Sequence, residues 1–330
     1  MIDARFSVVG IGNAIVDVLA HASDQFISEN SLIKGTMSLV DEAEAEKVYS
    51  KMRKCVECSG GSAANTIASI ASLGSKCAFI GKVKDDQLGK VFRNDITSLG
   101  INFQTLASFD GPSTARCMIH VTPDAQRTMQ TFLGASINLG PNDIDETIVA
   151  DAIVTYLEGY LWDTDLAKLA FRKAAEVATA AGRKVALSLS DSFCVERHRS
   201  EFLDFVKKHV DILFANEEEI MSLYQHKNFD DALEAVRADC EIAALTRGEQ
   251  GSVIVCRAEA HKTDAEPVAK VVDTTGAGDA YAAGFLHGLT VNLHLEECAR
   301  LGSLCAAEVI SHVGARPSVS LKNFINDYIL

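Results

Sequence analysis

Short β-rich segments alternate with amphipathic helical segments along most of the chain. The predicted strands are residues 6–10, 76–81, 152–158, 184–190, 211–216, 242–246 and 252–256. The longest predicted helix, residues 165–182, has apolar side chains at helical spacing and ends in a glycine at its C-cap position. This alternation is typical of a parallel sheet covered by helices on both faces. The sequence therefore predicts an α/β fold with a mostly parallel central sheet.

Two stretches, residues 15–40 and 103–135, break this alternation. Each lacks a long helix and contains strand-like segments separated by turn-forming residues, namely residues 35–40, 115–121 and 127–133. We expect the two stretches to pair in one small sheet that stands off the main sheet as a lid. Because neither an internal repeat nor a linker marks a boundary, residues 1–330 are expected to form a single domain.

Composition excludes several classes of function. The 330-residue chain is 48% hydrophobic and 23% charged, and its net charge is −14 without a basic run that would hold a nucleic-acid backbone. No apolar run approaches the roughly 18 residues of a membrane span, and the N-terminus lacks the pattern of a secretory signal. Cys55 and Cys58 form the only CxxC pair, which favours reduced thiols over zinc or disulfides. We expect a cytoplasmic protein that binds neither nucleic acid nor membranes.

A tight glycine turn near the C-terminus carries the most chemical information. In VVDTTGAGDAYAAGF (residues 271–285), a strand is predicted up to Val272 and a buried helix over residues 279–289. Such a turn presents free backbone N–H groups at a helix N-terminus, where they favour an anion; here they belong to Gly276, Ala277 and Gly278. Asp279 beside them is suited to accept the proton of an alcohol that attacks a phosphoryl group. Helix capping is the alternative role for this carboxylate.

The segment DTTGAGDAYAAGF resembles the C-terminal signature of the ribokinase/PfkB family of sugar and nucleoside kinases. The other signature of that family is recognisable in GGSAANTIASIASLGSKCAFIGKVKDDQLG (residues 60–89), although Lys84 stands where glycine is commoner. The resemblance extends over essentially the whole chain, and no GxxxxGK[ST] motif offers a P-loop route to phosphoryl transfer. It implies a ribokinase-like three-layer α/β/α domain with a small β-sheet lid, and transfer of phosphate from ATP to a primary hydroxyl.

The resemblance also implies roles for individual residues. Asp279 would be the catalytic base, and the amides from Gly276 to Gly278 would form an anion hole. Asn216 and Glu219 match the NxxE motif that arranges Mg²⁺ and its waters, although acids are common at helix starts without a metal. The candidate ATP contacts are Ser188, Asn216, Thr246, Gly248 and Gly251. Residues 311–317 fall where many members also hold a monovalent cation, so K⁺ joins ATP and Mg²⁺ as a candidate cofactor.

Two short segments, GNAIVD (residues 12–17) and GGSAAN (residues 60–65), are expected to bind the acceptor. The candidate residues are Asn13 and Asp17 in the first, and Gly60, Gly61 and Asn65 in the second. They resemble the adenosine kinase branch, in which the equivalent Asp and Asn hold the 2′ and 3′ hydroxyls and the glycine pair is a hinge for lid closure. Arg127 stands where that branch directs an arginine at phosphate; a solvent-exposed hairpin charge is the alternative.

The segment LSLSDSF (residues 187–193) favours the same branch, since it keeps Leu189, Ser190 and Phe193 of an NLSxxF element, but Ser188 replaces the expected Asn. We expect adenosine as acceptor, then another nucleoside such as guanosine, inosine or cytidine, then a free sugar such as ribose or fructose. The base pocket depends on the register of the lid. Its candidate side chains, which either face the base or pack within the lid, are Met37, Leu39 and Phe132.

Two other classes of function have weaker support. Gly10 and Gly12 form half of a dinucleotide-binding motif, but Ile15 replaces its third glycine, so an NAD-dependent dehydrogenase is disfavoured. A nucleoside-binding protein without catalysis would not need the base, the glycines and NxxE together. Both a monomer and a homodimer are compatible with the sequence.

Overall fold

The computed structural model describes residues 4–124 and 126–329, which contain two sheets and the helices that cover them. The strands are β1 (Phe6–Ile11), β2 (Ile15–His21), β3 (Met37–Leu39), β4 (Val56–Gly60), β5 (Cys77–Ile80), β6 (Ala115–Val121), β7 (Arg127–Phe132), β8 (Ala152–Glu158), β9 (Lys184–Ser188), β10 (Ile212–Asn216), β11 (Ile242–Thr246), β12 (Ser252–Cys256) and β13 (Glu259–Thr263). The α-helices are α1 (Asp24–Glu29), α2 (Glu42–Tyr49), α3 (Ser62–Ser72), α4 (Gln87–Ser98), α5 (Glu146–Ala150), α6 (Asp165–Ala180), α7 (Ser192–His209), α8 (Glu217–Tyr224), α9 (Phe229–Val236), α10 (Ala277–Thr290), α11 (Leu295–Ile310) and α12 (Leu321–Ile329). Short 3₁₀ turns occupy Gly134–Asn138, Pro141–Asp143, Gly159–Asp163 and Gly248–Gln250.

The main sheet has the strand order β13-β12-β11-β10-β9-β8-β1-β5. The strands from β11 to β5 are parallel, and β12 and β13 are added antiparallel at one edge. The chain first winds from β1 to β5 and later from β8 outward on the other side, so the winding reverses between β1 and β8. In open sheets of this kind, ligands bind outside the carboxyl ends of the strands near the reversal.

Helices cover both faces of the main sheet. On one face, α5 to α9 surround an aromatic cluster in which Trp162 contacts Phe171, Phe202 and Phe205. On the other face, α3, α4, α10 and α11 bury a second core around Phe79. The predicted three-layer α/β/α architecture with a mostly parallel sheet is confirmed.

The small sheet has the strand order β3-β7-β6-β2-β4. Strand β2 pairs with β6 and β3 pairs with β7, both in parallel, so the two stretches that break the helical alternation do pair with each other. Strand β4, which the sequence analysis did not predict, joins at one edge next to β2. Helix α2 covers one face of this sheet through Val48, which packs with Met118 and Phe132. The opposite face carries Cys117, Ile119 and Val121.

Two expectations about local structure are wrong. The strand predicted up to Val272 is absent, and residues 264–274 are irregular; the N–H groups of Val272 and Asp273 both donate to the Ile310 carbonyl. The apolar run there lacks a neighbouring strand with which to pair. Met37 and Leu39 were expected to face the nucleoside base or to pack within the lid, but they are 52% and 61% exposed on the edge strand β3. Phe132 is buried, which fits packing within the lid. None of the described helices combines the length and apolar character of a membrane span.

Candidate active site

A cleft of about 910 Å³ opens between the carboxyl edge of the main sheet and the inner face of the small sheet. One end is lined by the small sheet, through Ile15, Asp17, Cys117, Ile119, Arg127, Met129 and Thr131. The other end is lined by the ends of β9, β10 and β11 and the residues that follow them, including Ser188, Asn216, Thr246 and Gly248. The N-terminus of α10 also lines the cleft. The volume falls in the range of small-molecule sites.

The glycine turn forms the N-terminus of α10. Gly276 is the N-cap residue, with φ of 78°, and a Cβ there would lie 2.5 Å from the Ala315 carbonyl oxygen, so only glycine fits. The N–H of Ala277 donates to the Thr274 carbonyl at 3.2 Å. This N–H is therefore not free, contrary to the expectation from the sequence. Within the described residues, the N–H groups of Gly276 and Gly278 have no acceptor, and both residues line the cleft. They and the helix dipole favour an anion.

The carboxylate of Asp279 lies in the first turn of α10 and faces the cleft. Its Oδ1 accepts a hydrogen bond of 2.6 Å from the Ser62 hydroxyl in the first turn of α3, and the side chain of Asn65 also bonds to it. Burial raises the pKa of Asp279 to about 6, while the bonds from Ser62 and Asn65 oppose the rise and the charge of Asp17 adds to it. At neutral pH the group is ionised and is a stronger base than an ordinary aspartate.

Asp17, on β2, lines the small-sheet end of the cleft. Burial raises the pKa of Asp17 to about 6, and the charges of Arg316 and Arg127 oppose that rise. Gly60 does not line the cleft; a Cβ there would lie 2.4 Å from Asp17 Oδ2, so this glycine leaves room for the carboxylate. Gly61, the neighbouring member of the predicted hinge, does line the cleft and has φ of 99°.

Asn13 lies outside the cleft, unlike its predicted position. Its side chain is 2% exposed; Nδ2 donates to Glu158 Oε1 at 2.7 Å, and Oδ1 accepts from the Ser136 hydroxyl at 2.8 Å. An amide with both ends engaged in this way is not available to bind a hydroxyl group of a ligand. Asn13 instead ties together segments that are far apart in the sequence.

The predicted ATP contacts divide into two groups. Ser188, Asn216, Thr246 and Gly248 line the cleft at the carboxyl edge of the main sheet. Gly251 does not: it closes the hairpin between β11 and β12 with φ of 79°, and a Cβ there would lie 2.0 Å from the Thr263 carbonyl oxygen. Its place in the hairpin accounts for a glycine at this position.

Asn216 and Glu219 form a reciprocal capping box at the start of α8. Asn216 Oδ1 accepts from the Glu219 N–H at 2.8 Å, while the Glu219 carboxylate accepts from both the side-chain and backbone N–H groups of Asn216. Burial raises the pKa of Glu219 to about 7, and the charges of Asp191 and Glu218 add to the rise. A cation beside these acids would favour their ionised forms.

The donor set fits Mg²⁺ that keeps most of its water. The described residues contain no group of three or more His, Cys, Asp and Glu side chains that could hold a metal by themselves. Asn216, Glu217, Glu218 and Glu219 nevertheless line the end of the cleft formed by β9, β10 and β11; because the capping box engages Asn216 and Glu219 and Arg247 pairs with Glu217, these residues would contact the waters of the ion. Mg²⁺ binds through one or two protein oxygens, waters and phosphates, and does not need a protein cage.

Arg127 is not the exposed hairpin charge that the sequence also allowed. It lines the cleft and forms an ion pair with Asp273, and the two side chains are only 9% and 7% exposed. Asp273 also accepts hydrogen bonds from the Thr275 hydroxyl and the Gly314 N–H. The ion pair therefore joins the first residue of β7 to the segment that leads into the glycine turn.

Sequence reasoning missed Arg316, which lies within residues 311–317. Its Nε donates to Asn65 Oδ1 at 3.0 Å, and its other nitrogens donate to Asp95 at 3.1 Å and to Ser59 at 2.9 Å. Because Arg316 holds Asn65 Oδ1, the Asn65 amino group is left to face Asp279. No local spacing signals these contacts, which span more than 200 residues.

Other lining residues had a detectable signal. Strands β6 and β7 alternate so that every second residue, including Cys117, Ile119, Met129 and Thr131, faces the cleft. Arg247 follows β11 and pairs with Glu217 at 3.0 Å, where α8 begins. Phe193, by contrast, is 71% exposed and lies outside the cleft.

An anion-binding helix N-terminus and a basic carboxylate at its first turn meet in one cleft at the carboxyl edge of a doubly wound sheet. This combination suits the transfer of a phosphoryl group to a hydroxyl. The family model for pfkB family carbohydrate kinases matches residues 33–322, so the chain belongs to that family. It is a kinase that acts on a sugar or nucleoside, and its family implies the use of ATP and Mg²⁺.

Solved structures agree with this assignment. An adenosine kinase from Sinorhizobium meliloti is 52% identical, with a TM-score of 0.90, covering 98% of this chain and 100% of the other. A probable sugar kinase from Rhizobium etli is 48% identical, with a TM-score of 0.90, covering 98% of this chain and 99% of the other. Among curated proteins, an ATP-dependent ribose-1-phosphate kinase of Halopiger xanaduensis is 29% identical over 83% of this chain and 87% of its own length.

Proposed function

We propose that the protein transfers the γ-phosphoryl group of ATP to the 5′ hydroxyl of a nucleoside, with adenosine as the acceptor. The observation that carries the proposal is the acceptor end of the cleft, where Asp17 lies beside the apolar side chains of Ile15, Ile119 and Met129. A carboxylate suits the hydroxyl groups of a ribose, and an apolar surface next to it suits a purine. A free sugar has no group for that surface. The 52% identity to an adenosine kinase supports the same acceptor.

In this proposal, Asp279 takes the proton of the 5′ hydroxyl as its oxygen attacks phosphorus, and ADP leaves with the bridging oxygen. The N–H groups of Gly276 and Gly278 hold the charge of the transferred group. Mg²⁺ beside Asn216 and Glu219, held through its waters, would neutralise charge on the ATP phosphates. Asp17, Gly61 and Asn65 bind the acceptor, and the small sheet closes over it as a lid.

A phosphorylated acceptor such as ribose 1-phosphate is the second candidate, since a relative is named for that activity. Such an acceptor needs a cation near Asp17. The two arginines whose charges act on Asp17 are already neutralised, Arg127 by Asp273 and Arg316 by Asp95. The charge balance therefore favours an uncharged acceptor.

A panel of acceptors with ATP and Mg²⁺ tests the proposal. The panel contains adenosine, guanosine, inosine, cytidine, ribose, fructose and ribose 1-phosphate, each assayed with and without K⁺. We expect kcat/KM for adenosine to exceed that for ribose, fructose and ribose 1-phosphate by at least about tenfold, because only a nucleoside uses both the carboxylate and the apolar surface. Preference for a hexose or for ribose 1-phosphate would overturn the nucleoside assignment.

The activity is expected to fall in acid. Burial raises the pKa values of both Asp17 and Asp279 to about 6 in the free protein. Asp279 must be ionised to accept a proton and Asp17 must be ionised to hold hydroxyl groups, so kcat/KM should decline as the pH falls through 6. Because two groups titrate together, log kcat/KM should fall in acid with a slope greater than one per pH unit. A pH profile of kcat/KM for adenosine checks this, and a flat profile between pH 5 and 8 would contradict it.

A further inference from the structure

Glu158 is a buried carboxylate that the proposed reaction does not use. It ends β8, beside β1 at the point where the winding of the main sheet reverses, and it is 1% exposed. Oε1 accepts hydrogen bonds from the side chain of Asn13 at 2.7 Å and from its backbone N–H at 3.3 Å. Oε2 accepts from the backbone N–H of Ala63 at 2.7 Å. Both oxygens are thus bound by protein groups, and neither faces the cleft.

The partners of Glu158 lie where the chain crosses between the two sheets. Asn13 connects β1 of the main sheet to β2 of the small sheet, and Ala63 follows the crossing from β4 into α3. Asn13 Oδ1 also accepts from Ser136, which lies where the chain returns from β7. Two crossings between the sheets therefore meet at one carboxylate, and the third joins them through Asn13.

A neighbouring glycine makes room for this arrangement. A Cβ on Gly12 would lie 2.3 Å from Glu158 Oε2 and 2.6 Å from the Cβ of Ala63. A side chain at position 12 would displace either the carboxylate or the start of α3. The glycine of the GxG pattern thus serves close packing against Glu158.

We propose that Glu158 is a positioning residue, which clamps the crossings between the sheets and so fixes Asp17 of the small sheet relative to Asp279. The link to Asp279 is short, because Ala63 follows Ser62, whose hydroxyl donates to that carboxylate. The link to Asp17 runs through Asn13, which lies in the connection just before β2. The inference rests on the proposed kinase function for its catalytic consequence, but the clamp itself concerns the ligand-free protein.

The charge of Glu158 also acts on the site. Burial raises the pKa of Glu158 to about 7; the hydrogen bonds from Ala63 and Asn13 oppose the rise, and the charge of Asp279 adds to it. The charge of Glu158 also contributes to the raised pKa values of three other groups around it, Tyr156, Tyr160 and Cys194. Since the pKa of Glu158 lies above that of Asp279, Glu158 is mostly uncharged where Asp279 titrates, and removal of its charge should leave the titration of Asp279 near pH 6.

The decisive variant is Glu158→Gln, which keeps the size of the side chain. A glutamine must turn its amino group toward either Asn13 or Ala63, so a donor meets a donor and one crossing is released. Amide hydrogen exchange of the ligand-free protein should become faster in residues 12–16 and 61–66. For adenosine, kcat/KM should fall by about 10- to 100-fold, as expected when reacting groups are misplaced. The acid limb of the pH profile should stay near pH 6, because Glu158 is already mostly protonated at that pH.

Two further variants complete the test. Glu158→Asp keeps the carboxylate but shortens the side chain, so it should lower kcat/KM without moving the acid limb. It replaces Glu158→Gln as the test variant if Glu158→Gln does not fold. Glu201→Gln is the matched control, since it removes a carboxylate that accepts from Trp162 Nε1 at 3.1 Å on a helical face away from the cleft. It should leave exchange at both crossings and kcat/KM unchanged.

The outcomes separate the clamp from the kinase assignment. Unchanged exchange at the crossings with kcat/KM within about twofold of wild type, or faster exchange spread over the whole protein, would overturn the clamp. If the wild-type protein phosphorylates no nucleoside, the proposed function fails, while exchange in the ligand-free variants still tests the clamp.

Discussion

Asp279→Asn is expected to lose phosphoryl transfer by about 10²- to 10⁴-fold, because asparagine cannot take the proton of the attacking hydroxyl. Asparagine has almost the same shape, so the bonds with Ser62 and Asn65 can be kept in part and the turn at Gly276 should be preserved. Binding of ATP and adenosine should change little. The loss should therefore appear in kcat, because the interaction is made in the transition state.

Single-turnover rates and calorimetric titrations of both substrates measure the two effects separately. Ser62→Ala is the matched control: it removes the 2.6 Å bond to Asp279 but leaves the base in place. Its loss should be much smaller, and burial without that bond should raise the pKa of the base further. Near-wild-type turnover in Asp279→Asn would disprove the assigned role of the base.

Asp17→Ala is expected to have the second-largest effect, in this case on the acceptor. Hydrogen bonds to a charged group contribute about 1.5–3 kcal/mol each, so loss of two ribose contacts should lower kcat/KM for adenosine by about 10²- to 10³-fold or more. ATP affinity should be unchanged, since Asp17 lies at the small-sheet end of the cleft. The acid limb of the pH profile should also become less steep, because one of its two groups is gone.

Deoxynucleosides identify the contacts that Asp17 makes. Wild-type protein should discriminate adenosine from 2′-deoxyadenosine and 3′-deoxyadenosine, and Asp17→Ala should lose that discrimination, as in a double-mutant cycle. Asp41→Asn is the control, because Asp41 caps α2, which packs on the face of the small sheet away from the cleft, and asparagine caps equally well. If Asp17→Ala still discriminates between these acceptors, the hydroxyl contacts belong to another residue.

Much of the fold was predictable because its local patterns agree with its tertiary structure. The strands β8, β11 and β12 have the predicted bounds, since each is a short apolar run between turn signals. Strand β4 was missed because its sequence, VECSG, lacks such a run, and it is held as a strand by its pairing with β2. The opposite error occurred at Val272, where an apolar run has no strand beside it.

The candidate site was predictable only where short motifs carry it. The glycine turn and Asp279 form one continuous segment, and the structure places them at the same helix N-terminus. The buried position of Asn13 was not predictable, because its partner Glu158 lies 145 residues away. Arg316 was missed for the same reason, since it reaches Asn65 across 251 positions. Contacts of this kind depend on the packing of the two sheets and leave no local pattern.

The ion pair of Arg127 and Asp273 has a consequence for solution conditions. Mobile ions weaken attraction between charges that water surrounds, but they screen nearly buried charges far less. Both side chains are under 10% exposed, so added salt reaches them poorly. The electrostatic attraction between the small sheet and the segment that leads into the glycine turn should therefore persist across the range of ionic strengths that cells and buffers present.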